Sequence, residues 1–311
     1  MPFSSQVKDE LAHLQSRKKC CQIAELSAII HMSGSLHLQG QPNRYALHIS
    51  TENAAVARKV LKLFNDLFDM RGEVTVRRFR LNDANNYLVY LPEDPKMVQS
   101  LNELGIFDDS LNIKYGIAQR LIKKSCCAVA YLRGLFLGGG FISDPKGKYH
   151  FELSTDNYGL AQDAVKLMNR FDLNPKIRER KNRFLIYLKG TEPMVQFLAL
   201  IGAHSALLKW EDIRILKSMR ASVNRLVNCD TANLNRSVEA ALSQLSDIAL
   251  IDEEMGLHNL PAGLSSLAKT RLANPEASLE DLGKAHDPGL SKSAVYHRIR
   301  RIKQLADKLR N

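Results

Sequence analysis

Apolar and polar positions along the 311 residues change period several times, and those changes mark the elements. In "CCAVAYLRGLFLGGGFIS" (residues 126–143), Val129, Leu132, Leu135 and Phe136 recur at the spacing of one helix face. Gly138, Gly139 and Gly140 then close that helix at its most apolar point, although each glycine weakens a helix interior by roughly 1 kcal/mol. Elsewhere the period drops to two. Tyr45-Ala-Leu-His-Ile-Ser predicts a half-buried strand.

The pattern occurs twice. "RKKCCQIAELSAIIHMSGSL" (17–36) lines up with "KKSCCAVAYLRGLFLGGGFI" (123–142), "HISTENAAVARKVLKLF" (48–64) with "ELSTDNYGLAQDAVKLM" (152–168), and "YLVYL" (87–91) with "FLIYL" (184–188). Matches in one order identify an internal repeat. Copies of about 17–105 and 123–202 each predict αββαββα, with helices on one face of a sheet and the other face free. Ser50/Thr51 and Ser154/Thr155 are expected to cap the middle helices, Ser4 or Ser5 the first helix of the chain, and the last helices open near Pro95 and Pro193. Within the strands, alternation places Arg78 with Arg80, and Arg178 with Arg180, on common faces. These arginines read either as solvated strand ends or as phosphate contacts lining a saddle.

After Trp210 the chain carries amphipathic helical spacing at Ile213, Leu216, Val223 and Leu226, then Val238, Leu242, Leu245 and Ile248. The Asn/Arg-rich "NRLVNCDTANLNR" (224–236) interrupts it. Beyond Pro261, three helices are expected. Leu264, Leu267, Ala268 and Leu272 line the first, Ser278 caps the second, and Ser291 caps a third with Val295, Ile299 and Ile302 inward. Lys292, Ser293, Tyr296, His297, Arg298 and Arg301 are expected on its outer face, as a helix-turn-helix reader of the major groove requires. The organisation is thus a duplicated domain over 1–209, a helical linker over 210–260 and a DNA-binding domain over 261–311.

Charge supports this division. The total is +11; residues 1–209 hold 29 basic and 20 acidic side chains, 210–290 hold 8 and 12, and 291–311 hold 7 and 1. Such a balance points to a polyanionic partner, and the helix-turn-helix spacing makes double-stranded DNA the expected one. No run approaches 18 apolar residues, and the N-terminus lacks the order of a signal peptide, so a cytoplasmic protein without membrane contact is expected, nucleoid-associated if it binds DNA as the helix-turn-helix pattern implies. Cys20–Cys21 and Cys126–Cys127 are adjacent pairs without a Cys-x-x-Cys. Neighbouring thiols cannot easily both face one ion. They read as small buried hydrophobes, and no metal or cofactor is expected.

"LSAIIHMSG" (26–34) and "LRGLFLGGG" (132–140) resemble the signature of LAGLIDADG homing endonucleases. That resemblance implies an α+β fold in which two signature helices pack at a pseudo-two-fold axis to form a saddle. It also implies metal-holding acids one residue before each final glycine, yet Ser33 and Gly139 stand there, and the nearest acid, Asp144, lies past the helix. Joined to a helix-turn-helix, this degenerate scaffold resembles the WhiA family of bacterial transcriptional regulators, most specifically in "FSSQVKDELAHL", "NRLVNCDTANLNR" and "LSKSAVYHRIRRI". The resemblance implies a non-enzymatic regulator of cell division, chromosome segregation or sporulation, with a WhiB-type iron–sulfur partner where the host is an actinobacterium. The alternative is an active homing endonuclease or maturase.

Overall fold

The computed structural model describes residues 1–38, 44–78 and 85–310. It divides into two compact units, Met1–Leu216 and Lys217–Asn311. Arg80 lies outside the described residues.

The first unit opens with α1 (Phe3–His13) and then runs twice through one element order. The first copy is α2 (Lys19–Ser33), β1 (Gly34–Leu38), β2 (Tyr45–Thr51), α3 (Ala54–Phe68), β3 (Glu73–Arg78), β4 (Asn85–Leu91) and α4 (Met97–Glu103). After the short α5 (Gln119–Ile122), the second is α6 (Ser125–Gly139), β5 (Gly140–Ile142), β6 (Phe151–Thr155), α7 (Tyr158–Asn169), β7 (Lys176–Arg180), β8 (Arg183–Tyr187) and α8 (Glu192–Ile201). Each copy folds an antiparallel four-stranded sheet, in orders β1-β2-β4-β3 and β5-β6-β8-β7. The expected αββαββα units are present.

The two copies meet through α2 and α6. A Cβ on Gly134 would sit 2.3 Å from the Glu25 carbonyl oxygen and 2.7 Å from Ala28 Cβ, and one on Gly138 would sit 2.7 Å from Met32 Cβ. The glycines are there because the backbones touch. At the helix exits Gly34 and Gly140 have extended backbones, not the left-handed one of many glycine caps. Their lack of a side chain still matters, since a Cβ at Gly34 would lie 2.6 Å from the Ile30 carbonyl oxygen.

Helix caps differ from the expectation. Asn53 and Asn157 accept the first-turn amides of α3 and α7, while the hydroxyls of Thr51 and Thr155 accept the amides of those asparagines. The amide side chain sits at the cap position proper, two residues beyond the threonine. α1 starts behind Pro2 with no side-chain cap.

Leu26, Ile29, Leu132, Leu135 and Phe136 are fully buried, joining one core with Leu47, Val89, Leu153 and Ile186 from the inner faces of both sheets. Within that core lies a charge. The Glu25 carboxylate is 2.5 Å from Lys59 Nζ and 3.3 Å from an Arg133 guanidinium nitrogen, with all three side chains largely withdrawn from water. Lys59 also donates to the carbonyls of Leu11 and Leu14, and Arg133 to that of Ile201. The network ties α1, α2, α3, α6 and α8 together.

The helix α9 (His204–Met255) is one continuous element of 52 residues shared by both units, where shorter amphipathic helices are expected from the sequence. In the first unit its start is fixed by Glu10, which accepts the amides of Ser205 and Ala206, and by buried Trp210 between Phe3 and Tyr149. The second unit adds α10 (Ala262–Ala273), α11 (Leu279–Ala285) and α12 (Lys292–Arg310). Ile248, Ile251, Leu264, Ala268, Ile302 and Ala306 form its core, with Leu267, Leu282 and Val295 beside it. Position 272 faces out; Arg271 is buried in its place, donating to Gln244 Oε1 and to the Ala277 carbonyl.

Truncating Glu25 leaves two buried cations without their counter-charge, and such a loss costs about 3–5 kcal/mol. Glu25→Ala is expected to lower the urea midpoint accordingly. His31 adds a pH dependence. Burial pushes its imidazole from 6.5 down to about 4, with the Tyr131 hydroxyl and the Ser27 carbonyl each 3.0 Å from Nδ1. The unfolded chain therefore binds a proton first as pH falls, so this contribution is full above about 6.5 and lost towards 4. Denaturant midpoints should drop across that window, and less steeply in His31→Gln.

Candidate nucleic-acid interface

Sheet register decides which strand residues face away from the helices. Buried Leu47, Ile49, Val89 and Leu91 mark the inner face of the first sheet. Val74 pairs with Val89 and Val76 with Tyr87, so Arg78 falls on the inner side at the strand end. Arg77, paired with Asn86, is the arginine that shares the outer face with His48, Ser50 and Tyr90. The expectation for Arg78 is corrected by one residue. Strand alternation shows which residues share a face, but pairing with the central strand shows which face it is.

In the second sheet, Arg178 pairs with Leu185 and Arg180 with Arg183, opposite in sense to buried Ile186. Arg178 and Arg180 thus lie exposed on the outer face, with Lys176 and Arg183 beside them. Arg183 Nε donates to Asp156 Oδ1 at 2.7 Å. On the first sheet the His48 ring packs 4.3 Å from His37 and 5.0 Å from Tyr90. Burial among these neighbours, then His37 and Arg77, hold His48 below its ordinary pKa.

Where α2 and α6 end, the first unit has a pocket lined by Lys8, Glu52, Asn86, Gly139, Ser154 and Arg183. Its chemistry is mixed, without paired carboxylates at the signature positions. Ser33 donates its hydroxyl back to the Ile29 carbonyl at 2.9 Å. A Cβ on Gly139 would sit 2.4 Å from Met32 Cε and 2.9 Å from the Ser154 carbonyl oxygen. Lys8 contributes an amine that burial lowers to about 8 against the opposing pull of Glu52. Asp144 caps a turn by accepting the Lys146 amide.

The second unit builds a different surface. Ser278 accepts the Asp281 amide at the start of α11, and Ser291 accepts the Ala294 amide at the start of α12. The turn between them is tight: the Leu290 amide donates to the Gly283 carbonyl, and a Cβ on Gly283 would lie 2.2 Å from the Leu290 carbonyl oxygen. With Val295, Ile302 and Ala306 inward, Lys292, Ser293, Tyr296, His297 and Arg301 are exposed. The Tyr296 and His297 rings are 5.7 Å apart, edge to face. Arg298 differs: it is half-buried, and its guanidinium donates to the Gly263 carbonyl at 3.2 Å, fastening α12 to α10. The exposed arginine on the line of Ser293, Tyr296 and His297 is Arg300, at i+7, i+4 and i+3. A helical wheel anchored on Val295 and Ile302 carries that signal, and the site residues chosen from sequence omit it.

Comparison with known proteins joins these surfaces. Residues 19–107 match the WhiA N-terminal LAGLIDADG-like domain, 128–220 the WhiA LAGLIDADG-like domain, and 223–306 the WhiA C-terminal HTH domain. The chain belongs to the WhiA family. The "probable cell division protein WhiA" of Desulforamulus reducens is 48% identical over 100% of this chain and 97% of its own length. That of Brevibacillus brevis is 46% identical over 100% and 98%. Full-length DUF199/WhiA from Thermatoga maritima superposes with a TM-score of 0.60 at 28% identity, covering 99% of both chains. The WhiA-family fold is therefore the one seen here, with duplicated LAGLIDADG-like halves followed by a helix-turn-helix. Among the described residues no helix is long and apolar enough to cross a membrane.

Gly283→Ala sets two effects against each other. Alanine is favoured in a helix by up to about 1 kcal/mol, but here its methyl meets a backbone oxygen, and overpacking costs about 1–3 kcal/mol. The clash is expected to win, lowering the melting temperature of the full chain in thermal denaturation followed by circular dichroism.

Proposed function

We propose that the chain is a sequence-specific DNA-binding regulator of transcription, acting in cell division, chromosome segregation or sporulation, in which the nuclease activity of its scaffold has been lost. The observation that carries this reading is the outer face of α12: a capped N-terminus followed by exposed Lys292, Ser293, Tyr296, His297, Arg300 and Arg301. Side chains on the first turns of such a helix reach base edges, and arginine can pair with two acceptors of one guanine. The loss of nuclease activity rests on Ser33 and Gly139, since neither offers the carboxylate that holds a divalent ion for phosphodiester cleavage.

The outer faces of the two sheets act as an accessory surface. Arg77, Arg178 and Arg180 contribute phosphate contacts, which add affinity without reading sequence. A protein occupying the same surface is the competing assignment, and in an actinobacterial host a WhiB-type iron–sulfur protein is that partner. A protein working on promoters in this way is cytoplasmic and nucleoid-associated.

Fluorescence anisotropy on promoter fragments, across a salt titration, separates these roles. Arg300→Ala is expected to cost about 1–3 kcal/mol on the cognate fragment and little on random DNA. Arg178→Ala with Arg180→Ala should weaken all fragments alike and reduce the salt slope by about 2. An unchanged slope assigns the sheet faces to a protein partner. Equal losses for Arg300→Ala on cognate and random DNA remove α12 as the reader.

A further inference from the structure

Sequence adjacency argues against metal binding by a cysteine pair, but the structure brings together two pairs, one from each central helix. Cys20–Cys21 and Cys126–Cys127 start α2 and α6, the elements in closest contact in the first unit. Cys21 Sγ lies 4.0 Å from Cys127 Sγ, and Cys126 Sγ lies 4.0 Å from Cys127 Sγ. The sulfurs of Cys20, Cys21 and Cys127 all fall within 4.8 Å of one another. Four sulfurs each about 2.3 Å from a tetrahedral zinc ion stand about 3.8 Å apart. A disulfide needs about 2.05 Å. The separations within that set of three suit a shared ion far better than a bond between any two of them, and the exposed Cys126, adjacent to Cys127, stands beside the set as the fourth ligand.

The surroundings fit the same species. A divalent ion with four thiolates carries two negative charges. It would sit at the N-terminal ends of two helices, whose dipoles favour negative charge, beside Lys18 and Lys124 at the cap positions. A surface pocket lined by Arg17, Lys18, Cys21, Cys126 and Arg133 gives an ion a path in. Cys21 and Cys127 are buried, Cys20 is half-buried and Cys126 exposed, so the inner pair is anchored and the outer pair reaches solvent.

We propose that Cys20, Cys21, Cys126 and Cys127 form a tetrathiolate zinc site that clamps the two halves of the first unit at the head of their helix pair. Binding transfers the four thiol protons to solvent and changes no oxidation state. Soft ligands in a tetrahedral set select zinc over the hard cations that carboxylate sites hold.

The test uses the full chain, reduced and stripped of metal, titrated without oxygen with cobalt(II) as a spectroscopic substitute. One equivalent should produce the ligand-field and thiolate charge-transfer bands of tetrahedral sulfur coordination, and zinc should bleach them. Zinc should also raise the melting temperature of the wild-type chain. Cys20→Ser with Cys126→Ser, which spares the buried pair, should weaken binding on the order of a hundredfold or more, while Cys229→Ser leaves it intact. Bands that persist in the double variant, or thiols lost to disulfide without metal uptake, overturn the site. Should the double variant not fold, the wild-type chain decides. A melting temperature indifferent to zinc, with thiols equally reactive towards a disulfide reagent in its presence and absence, removes the proposal.

Discussion

The approach of α2 to α6, closer than any side chain larger than hydrogen allows at Gly134 and Gly138, is the constraint on which the first unit depends. It converts two copies of one element series into a single core, because each sheet can cover its own helix and share the next. It also explains why so much chemistry gathers at one axis. Where backbones touch there is no room for bulk, so the groups that stabilise the pair stand around it: the Glu25 network on one flank and the His31–Tyr131 contact across the interface. At the head of the axis stand four cysteines, and at its foot is the pocket lined by Lys8, Glu52, Ser154 and Arg183. An ion pair buried this deeply adds little net stability over apolar packing, but is strongly destabilising when half of it is removed. Its role here is positional.

The sequence makes the architecture legible because the repeat reports it twice. A weak helix signal ending in glycine is ambiguous alone, and persuasive when it recurs with the same strands behind it. What the repeat does not report is how elements meet. Alternation gives Arg78 and Arg80 a common face and is silent on which side of the sheet that face lies; the pairing of Arg77 with Asn86 puts Arg77, not Arg78, on the outer side. In the second sheet the same reasoning reaches Arg178 and Arg180 correctly, since they start from the other parity.

Helix α12 shows the opposite case. Its inward residues Val295, Ile299 and Ile302 are correctly placed by spacing and imply Arg300 on the outer face, whereas the basic cluster read as a whole points to Arg298. Arg298 is drawn back to the Gly263 carbonyl, a partner 35 residues away that no local pattern specifies. The arrangement of the cysteines is equally invisible to a local pattern. Adjacent thiols diverge along their own helix, and only the neighbouring helix supplies the other half of a convergent set.

Two identical subunits around a symmetry axis must present identical faces, and so favour targets that read the same in both directions. This chain holds both halves covalently, and its halves have drifted apart. Glu73, Thr75 and Asn86 of the first outer face answer to Lys176, Arg178 and Arg183 of the second. The pairwise register is preserved, whereas the electrostatics are not. The surface therefore has a polarity: a strongly cationic end and a nearly neutral one. A linear polyanion laid across it would have a preferred heading, so that asymmetric sites, which a symmetric dimer reads poorly, come within reach of a single polypeptide.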